Sequence, residues 1–328
     1  MKKSFFYINL LLTLVFLYSC KDVKQAASVK VDKLSTGKAA EVLVIAEDHY
    51  WNDALKDSVH SWLSRTQEVL NQVEPMFDNI RLDQKNFNTQ HQTHRNIFYF
   101  DIKPTYTEPE LNIIRDPRAK PQIWVEVKAN SSQAAIEIVR KHLEEIIVSF
   151  YDNDLKRLQN FHAKNQNAYL QKIIRDKFGI SLVIPNSYTV ARNESDFVWL
   201  MYRTQKNDRM IAVYSTPYNG EALTGKYLVE LRNQMFKAYI EGALEDAYPK
   251  VANIYDLPLM TSITNGTKSG VLLRGLWDVV GDKMGGPFIN FSFVQNNRLI
   301  SIDGFVYAPQ ENKRDYMREV ESVVKSLR

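Results

Sequence analysis

The chain of 328 residues contains a single cysteine, Cys20, and that scarcity excludes several designs at once. No disulfide can staple the fold and no second thiol can complete a redox or metal motif, so a folded body must rely on its core. Beyond position 20 no segment approaches the 18 or so consecutive apolar residues that would read as a transmembrane helix. A surplus of one charge is missing too. The 42 Lys and Arg face 38 Asp and Glu, a balance that argues against a nucleic-acid partner, for which a clustered basic face is expected.

Catalytic signatures are equally scarce. There is no Gly-x-Ser-x-Gly nucleophile elbow. His91 and His94 lie three apart among Gln and Thr, whereas a catalytic zinc helix wants two histidines four apart with an adjacent Glu. His49, after Glu47 and Asp48, and His60 are single imidazoles without a metal-binding pattern. Ser322 to Lys325 fits Ser-x-x-Lys, but the companion-like Lys268-Ser269-Gly270 precedes it in the chain, and Val323 and Val324 suit a core face. No cofactor or metal is expected, and enzymatic activity is the less favoured reading.

What is present begins at the N-terminus. Lys2-Lys3 precede an apolar run from Phe5 to Leu17, followed by Tyr18-Ser19-Cys20. An apolar stretch of about 14 residues behind a positive start fits a secretory signal and falls short of the roughly 20 residues needed to span a bilayer. No Ala-x-Ala site precedes Cys20, and Leu17 to Cys20 matches a lipobox apart from the bulky Tyr18. A signal anchor is the alternative. The expectation is therefore a signal peptide over residues 1–19 and lipidation of Cys20, with the membrane as partner through two or three acyl chains. Cell-envelope attachment follows, at the outer membrane, with the periplasmic or surface face left open. Loss of Lys2 and Lys3 would bring the net charge from +4 to near +2. Residues 20–40 are polar and alanine-rich and read as a flexible tether with a reach of about 25 Å.

From Glu41 onward the pattern predicts an α+β protein of mostly antiparallel sheets covered by helices, in two parts, residues 41–180 and 181–328. In the first part, strands are expected at 42–45, 96–103 and 123–129, with a helix over 52–73. A long loop is expected where Pro104, Pro109, Pro117 and Pro121 recur. A helix should open near Asn130 and break or re-cap at Asp152-Asn153-Asp154, and a second should end at Gly179. In the second part, strands are expected at 181–185, 188–192, 198–204, 210–215, 259–263, 270–280, 288–295 and 298–306. Asn296-Asn297 should make a tight hairpin turn, and helices are expected over 225–247 and 313–327.

The least ordinary stretch is 275–287, with four glycines, Trp277, Asp278, Asp282 and Lys283 between two strands. It reads as a loop where backbone turns or approaches a ligand. Trp277, Asp278, Gly281, Asp282, Lys283, Gly285 and Gly286 are therefore the candidate binding loop. It is no P-loop, since the Gly-Lys-Ser/Thr spacing is missing and a strand follows.

With the lipobox, the residues Gly275-Leu276-Trp277 and Gly281 to Phe288 resemble the Bacteroidota lipoproteins grouped as domain of unknown function 4837. The resemblance implies an envelope lipoprotein with no assigned activity and supplies no catalytic residues. The element order of the second part is also similar to the Mog1/PsbP-like fold, a binding and assembly scaffold. The leading expectation is a membrane-tethered binding or assembly module with an envelope protein or glycan partner. The rival is an envelope hydrolase acting on glycan or peptide polymers.

Overall fold

The computed structural model describes residues 33–253 and 257–328; the expected signal peptide, Cys20 and residues 20–32 of the expected tether lie outside them. Residues Val31–Arg328 group as one compact unit. Its first half runs β1 (Glu41–Ala46), α1 (Asp53–Leu63), β2 (Asp78–Asp83), β3 (Asn96–Ile102), β4 (Glu110–Arg115), β5 (Ile123–Ala129), α2 (Ser132–Lys164) and α3 (Ala168–Phe178). The second continues with β6 (Thr189–Asn193), β7 (Phe197–Arg203), β8 (Asp208–Pro217), α4 (Gly225–Tyr239), β9 (Pro249–Val251), β10 (Leu259–Asn265), β11 (Lys268–Val279), β12 (Gly285–Gln295), β13 (Arg298–Tyr307) and α5 (Arg314–Val324).

The fold is α+β with mostly antiparallel sheets covered by helices, as expected. The first sheet, ordered β2-β1-β3-β5-β4, is mixed: three of its four pairings are parallel and only β4 runs antiparallel, against β5. The reason lies in β1. All six of its residues are buried, as a central strand joined to parallel neighbours through helical connections requires. The edge strands β2 and β4 carry polar, half-exposed sequences, DNIRLD and ELNIIR, and neither was legible; β4 lies inside the expected proline-rich loop. One face of this sheet packs Val42, Val44, Phe98, Phe100, Val125 and Val127 under Leu55, Val59 and Trp62 of α1 and Ile136, Val139 and Phe150 of α2.

The second sheet is antiparallel throughout, ordered β10-β11-β12-β13-β8-β7-β6 with β9 also on β11. Both faces are covered. On one, Val198, Ile211, Val213, Ile289 and Ile302 meet α3, α5 and the extended stretch around Leu182. On the other, Phe197, Tyr214, Trp277, Phe288 and Phe305 meet Leu228, Leu231 and Phe236 of α4. The Asn296-Asn297 hairpin is as expected: both residues have positive φ, 50° and 56°, as a turn matched to strand twist requires.

Five further differences have local causes. The helix expected over 52–73 ends at Leu63, where Ser64 N–H donates to His60 O at 2.8 Å, and Val69 beyond it takes a positive φ of 55° that no α-helix accommodates. The helix expected to break at 152–154 runs unbroken to Lys164. Asp and Asn weaken helices by bonding nearby backbone, yet here Asn153 donates to Arg95 O and Asn96 Oδ1, both at 3.0 Å, and Asp154 is engaged by four donors, so neither side chain is free to compete. Residues 181–185 form no strand; Ile180, Leu182 and Ile184 are buried beneath α3 and α5. The helix from 225 stops at Tyr239 because the chain reverses at Gly242, where a Cβ would lie 2.6 Å from that of Ala247. Residues 34–40, assigned to the tether, are tied to the body. Leu34 bridges Lys120, Thr36 bridges His94, and Ala40 N–H donates to Asp154 at 2.8 Å.

Candidate functional site

α2 and α5 bring the two sheets together, and beside their crossing lies a cavity of about 380 Å³. The last turns of α2 supply Leu158, Phe161 and His162, the 185–188 stretch supplies Tyr188, β7 and β8 supply Tyr202 and Arg209, and α5 supplies Glu319. The volume falls within the range of about 300–1,000 Å³ typical of small-ligand pockets. His162 comes two turns after Asp154, so the uninterrupted helix is what delivers it.

Arg209 organises the polar wall. Its guanidinium lies 4.1 Å from the Tyr202 ring and 5.1 Å from the Tyr316 ring. Nε donates to Asn207 Oδ1 at 3.1 Å and Nη1 donates to the Glu319 carboxylate. Stacking and ion pairing together let an arginine stay buried.

His162 is different. Its Nε2 is buried and has no hydrogen-bond partner among the described residues. Burial, together with the nearby Arg209 charge, pushes its pKa down to about 4, so the imidazole is neutral at physiological pH. Tyr188 is buried, its ring 6.0 Å from that of Tyr202, and burial followed by the Glu319 charge pushes its phenol up. Its bonds to described residues are backbone ones, to Pro185 O and from Asn167 Nδ2. An unpaired buried polar atom such as His162 Nε2 costs about 1–3 kcal/mol, and its surface is covered by protein, so the polar groups open to a ligand are the Tyr188 hydroxyl and Arg209 Nη2, which bond no described residue.

The sign of the His162 effect makes a prediction. Between its ordinary value of 6.5 and about 4, the unfolded chain binds a proton that the folded chain refuses. This residue's contribution to stability is therefore present above pH 6.5 and lost as pH falls towards 4. Urea unfolding of the parent and His162→Gln should show the parent losing stability relative to the variant between pH 7.5 and pH 4.5. A difference that stays constant across that range contradicts the assignment.

The pocket does not assemble a hydrolytic relay. Glu319 bonds Arg209, His162 Nε2 bonds no acid or hydroxyl, and Ser187 has no base attached. Ser322 donates to Glu319 O at 2.7 Å within its own helix, and Lys325 pairs with Glu321 at 3.0 Å, so the Ser-x-x-Lys spacing is ordinary helix packing. No group of three or more metal-ligating side chains occurs among the described residues. His94 is committed to Glu41 at 2.8 Å and to Asn96 O at 3.0 Å, while His91 lies apart in a short turn, and His49 and His60 are exposed. A larger, more open depression of about 650 Å³ on the other face of the first sheet is mainly apolar, and His94 at its edge already has its partners.

The expected binding loop is mostly strand, which corrects its extent to residues 280–284. Trp277 is buried, donating to Val306 O at 3.3 Å and packing edge-on against Phe305. Gly285 and Gly286 lie on β12, where a Cβ would come within 2.6 Å of Trp277 O and 2.1 Å of Val306 O, so close strand packing explains both. Gly281, at φ +78° with open space around it, serves the turn. Asp278 lies 4.0 Å from Lys250, and Asp282 bonds the Lys283 backbone N–H, leaving Lys283 exposed. These seven residues lie together at one end of a hairpin and have no place in the cavity. The cavity escaped the sequence reading because its walls come from five separated segments; the one local clue, His162 among apolar residues, looks like any amphipathic helix.

The chain is an α+β protein with two sheets and a pocket, apolar with one polar wall, beside the crossing of the helices that join them. In sequence, a family model described as domain of unknown function (DUF4837) matches residues 167–326, and a second, domain of unknown function (DUF8532), matches residues 35–163. His162 belongs to the second match; Tyr188, Arg209 and Glu319 belong to the first. Among curated proteins there is no match. Among solved structures, a protein of Bacteroides thetaiotaomicron is similar at 9% identity and a TM-score of 0.26, over 45% of this chain and 44% of that one. The chain thus spans less than half of that protein. PsbP (CyanoP) of Synechocystis sp. PCC 6803 aligns at 12% identity and a TM-score of 0.31, over 46% and 86% of the two chains. The human StarD13 (DLC2) lipid transfer and protein localization domain aligns at 11% identity and a TM-score of 0.23, over 48% and 94%.

Proposed function

We propose that this chain is a cell-envelope lipoprotein, anchored at the outer membrane through acyl chains on Cys20, whose body binds a small ligand in the pocket between α2, α5 and the second sheet. One observation carries the binding reading: the Tyr188 hydroxyl, on the 185–188 stretch, and Arg209 Nη2, on β8, stand at one cavity with hydrogen-bonding capacity unspent, and no relay is assembled. Pockets of this kind favour the junction of structural units. The anchor reading rests on the residues from Lys2 to Cys20. No helix among the described residues is long and apolar enough to cross a membrane.

The test uses the full chain in its own envelope. Labelling with an alkynyl palmitate should mark the parent and leave Cys20→Ala unlabelled and released from the membrane fraction. Native mass spectrometry of protein extracted in mild detergent should show a bound small mass on the parent that is absent from Tyr188→Phe. Equal labelling of both chains would overturn the anchor, and a bound mass indifferent to Tyr188 would overturn the pocket.

A further inference from the structure

The walls of the pocket restrict the chemistry of its occupant. Its two full charges, Arg209 and Glu319, already neutralise each other within bonding distance. An anion would have to sit beside Glu319. A cation would sit beside Arg209, whose charge already helps to keep a proton off His162. Neither ligand gains net attraction, and either must give up its water. What the cavity lacks is hydrogen-bond partners for uncharged groups. The Tyr188 hydroxyl bonds no described residue, and Arg209, with Nε and Nη1 engaged, has Nη2 left to donate, while His162 Nε2, also unpaired, is covered by protein.

The apolar surfaces complete the picture. Phe161 is 64% exposed at the rim, an unusual position for a phenylalanine. Leu158, Pro185 and Val323 line the cavity beside it, and Asn165, Asn186 and Ser187 add amides and a hydroxyl. Hydroxyls act as donor and acceptor at once and so suit a phenol and a guanidinium edge. A ring with an apolar C–H face and hydroxyls around its edge meets both surfaces at once.

Resting on the pocket as a binding site, we infer that its ligand is an uncharged saccharide, seated with its hydroxyls on Tyr188 and Arg209 and one ring face on Phe161. Envelope glycan is then the kind of material the chain engages, by holding it.

Saturation-transfer NMR and calorimetry on the full lipidated chain in detergent micelles test this, with cellobiose and N,N′-diacetylchitobiose as neutral probes and citrate and spermidine as charged ones. At least one neutral disaccharide should bind. Its affinity should fall about tenfold in Tyr188→Phe, the loss of about one hydrogen bond. Phe161→Ala, at an exposed position that leaves the core untouched, should weaken binding while preserving the unfolding midpoint, and Asp282→Ala on the β11–β12 hairpin, outside the cavity, should change nothing. Tighter binding of citrate or spermidine, lost in Tyr188→Phe, would overturn the saccharide class and leave the pocket standing. Disaccharide binding unaffected by both pocket variants would overturn the location. Failure of every probe would overturn the inference, and the bound-mass experiment above would then decide the pocket separately.

Discussion

Asp154→Ala should destabilise the protein by about 3–5 kcal/mol, the usual loss when one partner of a buried ion pair is removed. Its side chain is 1% exposed and serves four donors from three parts of the fold. Oδ2 accepts from Arg318 Nη1 of α5 at 2.6 Å and from Ala40 N–H, ahead of β1, at 2.8 Å. Oδ1 accepts from Arg95 Nη1 and Asn96 Nδ2, at the start of β3, at 3.2 and 3.4 Å. Without the carboxylate, two arginines are left buried beside each other. Arg318, between the rings of Phe77 and Tyr151 at 4.9 and 4.8 Å, has no route to water. Since α5 also closes the candidate pocket through Glu319, the same variant should weaken ligand retention. Urea unfolding followed by circular dichroism measures the first effect; a midpoint within experimental error of the parent would refute the clamp.

Asp303→Ala should cost about as much, again about 3–5 kcal/mol, because it too strands a buried arginine. Arg232 and Asp303 are both fully buried, on α4 and β13. They pair through two bonds, at 2.7 and 3.1 Å, with Asn290 Nδ2 adding a third at 3.0 Å. The guanidinium lies 4.1 Å from the Phe236 ring and 4.2 Å from that of Phe288. Deleting the acid strands a positive charge inside an aromatic core. Replacing both residues with apolar ones of similar size removes charge and desolvation cost together, and such swaps are often neutral or stabilising by about 1–4 kcal/mol. Arg232→Met with Asp303→Leu should therefore recover most of the single variant's loss. A double variant as unstable as the single one would show that the pair, rather than the stranded charge, matters.

These two networks show where sequence reading reaches its limit. The terminal helix, the long β-hairpins and the Asn296-Asn297 turn were legible because each is specified by residues within a few positions of one another, through alternation, spacing or tolerance of positive φ. Gly179 was legible as a helix cap for the same reason; its φ is +66°. The strands β2 and β4 were not, because an edge strand buries little and its sequence keeps the polarity of a loop. Asp154 was misread because its neighbours in sequence suggest a helix break, while its partners lie at 40, 95, 96 and 318.

By itself the sequence determined the class of fold, the absence of any internal disulfide and the hairpins of the second sheet, and it holds the residues from Lys2 to Cys20 on which the proposed lipid anchor rests. The fold class and the hairpins depend on composition or on short-range pattern, and these survive translation into structure unchanged. Only the tertiary structure decided that the first sheet is largely parallel, that α2 continues past Asp154, and that a glycine-rich stretch is packed strand while an unremarkable histidine faces a cavity. Those outcomes depend on which distant side chains satisfy a buried polar group or fill a gap between helix and sheet, and such pairings leave no periodicity in the chain.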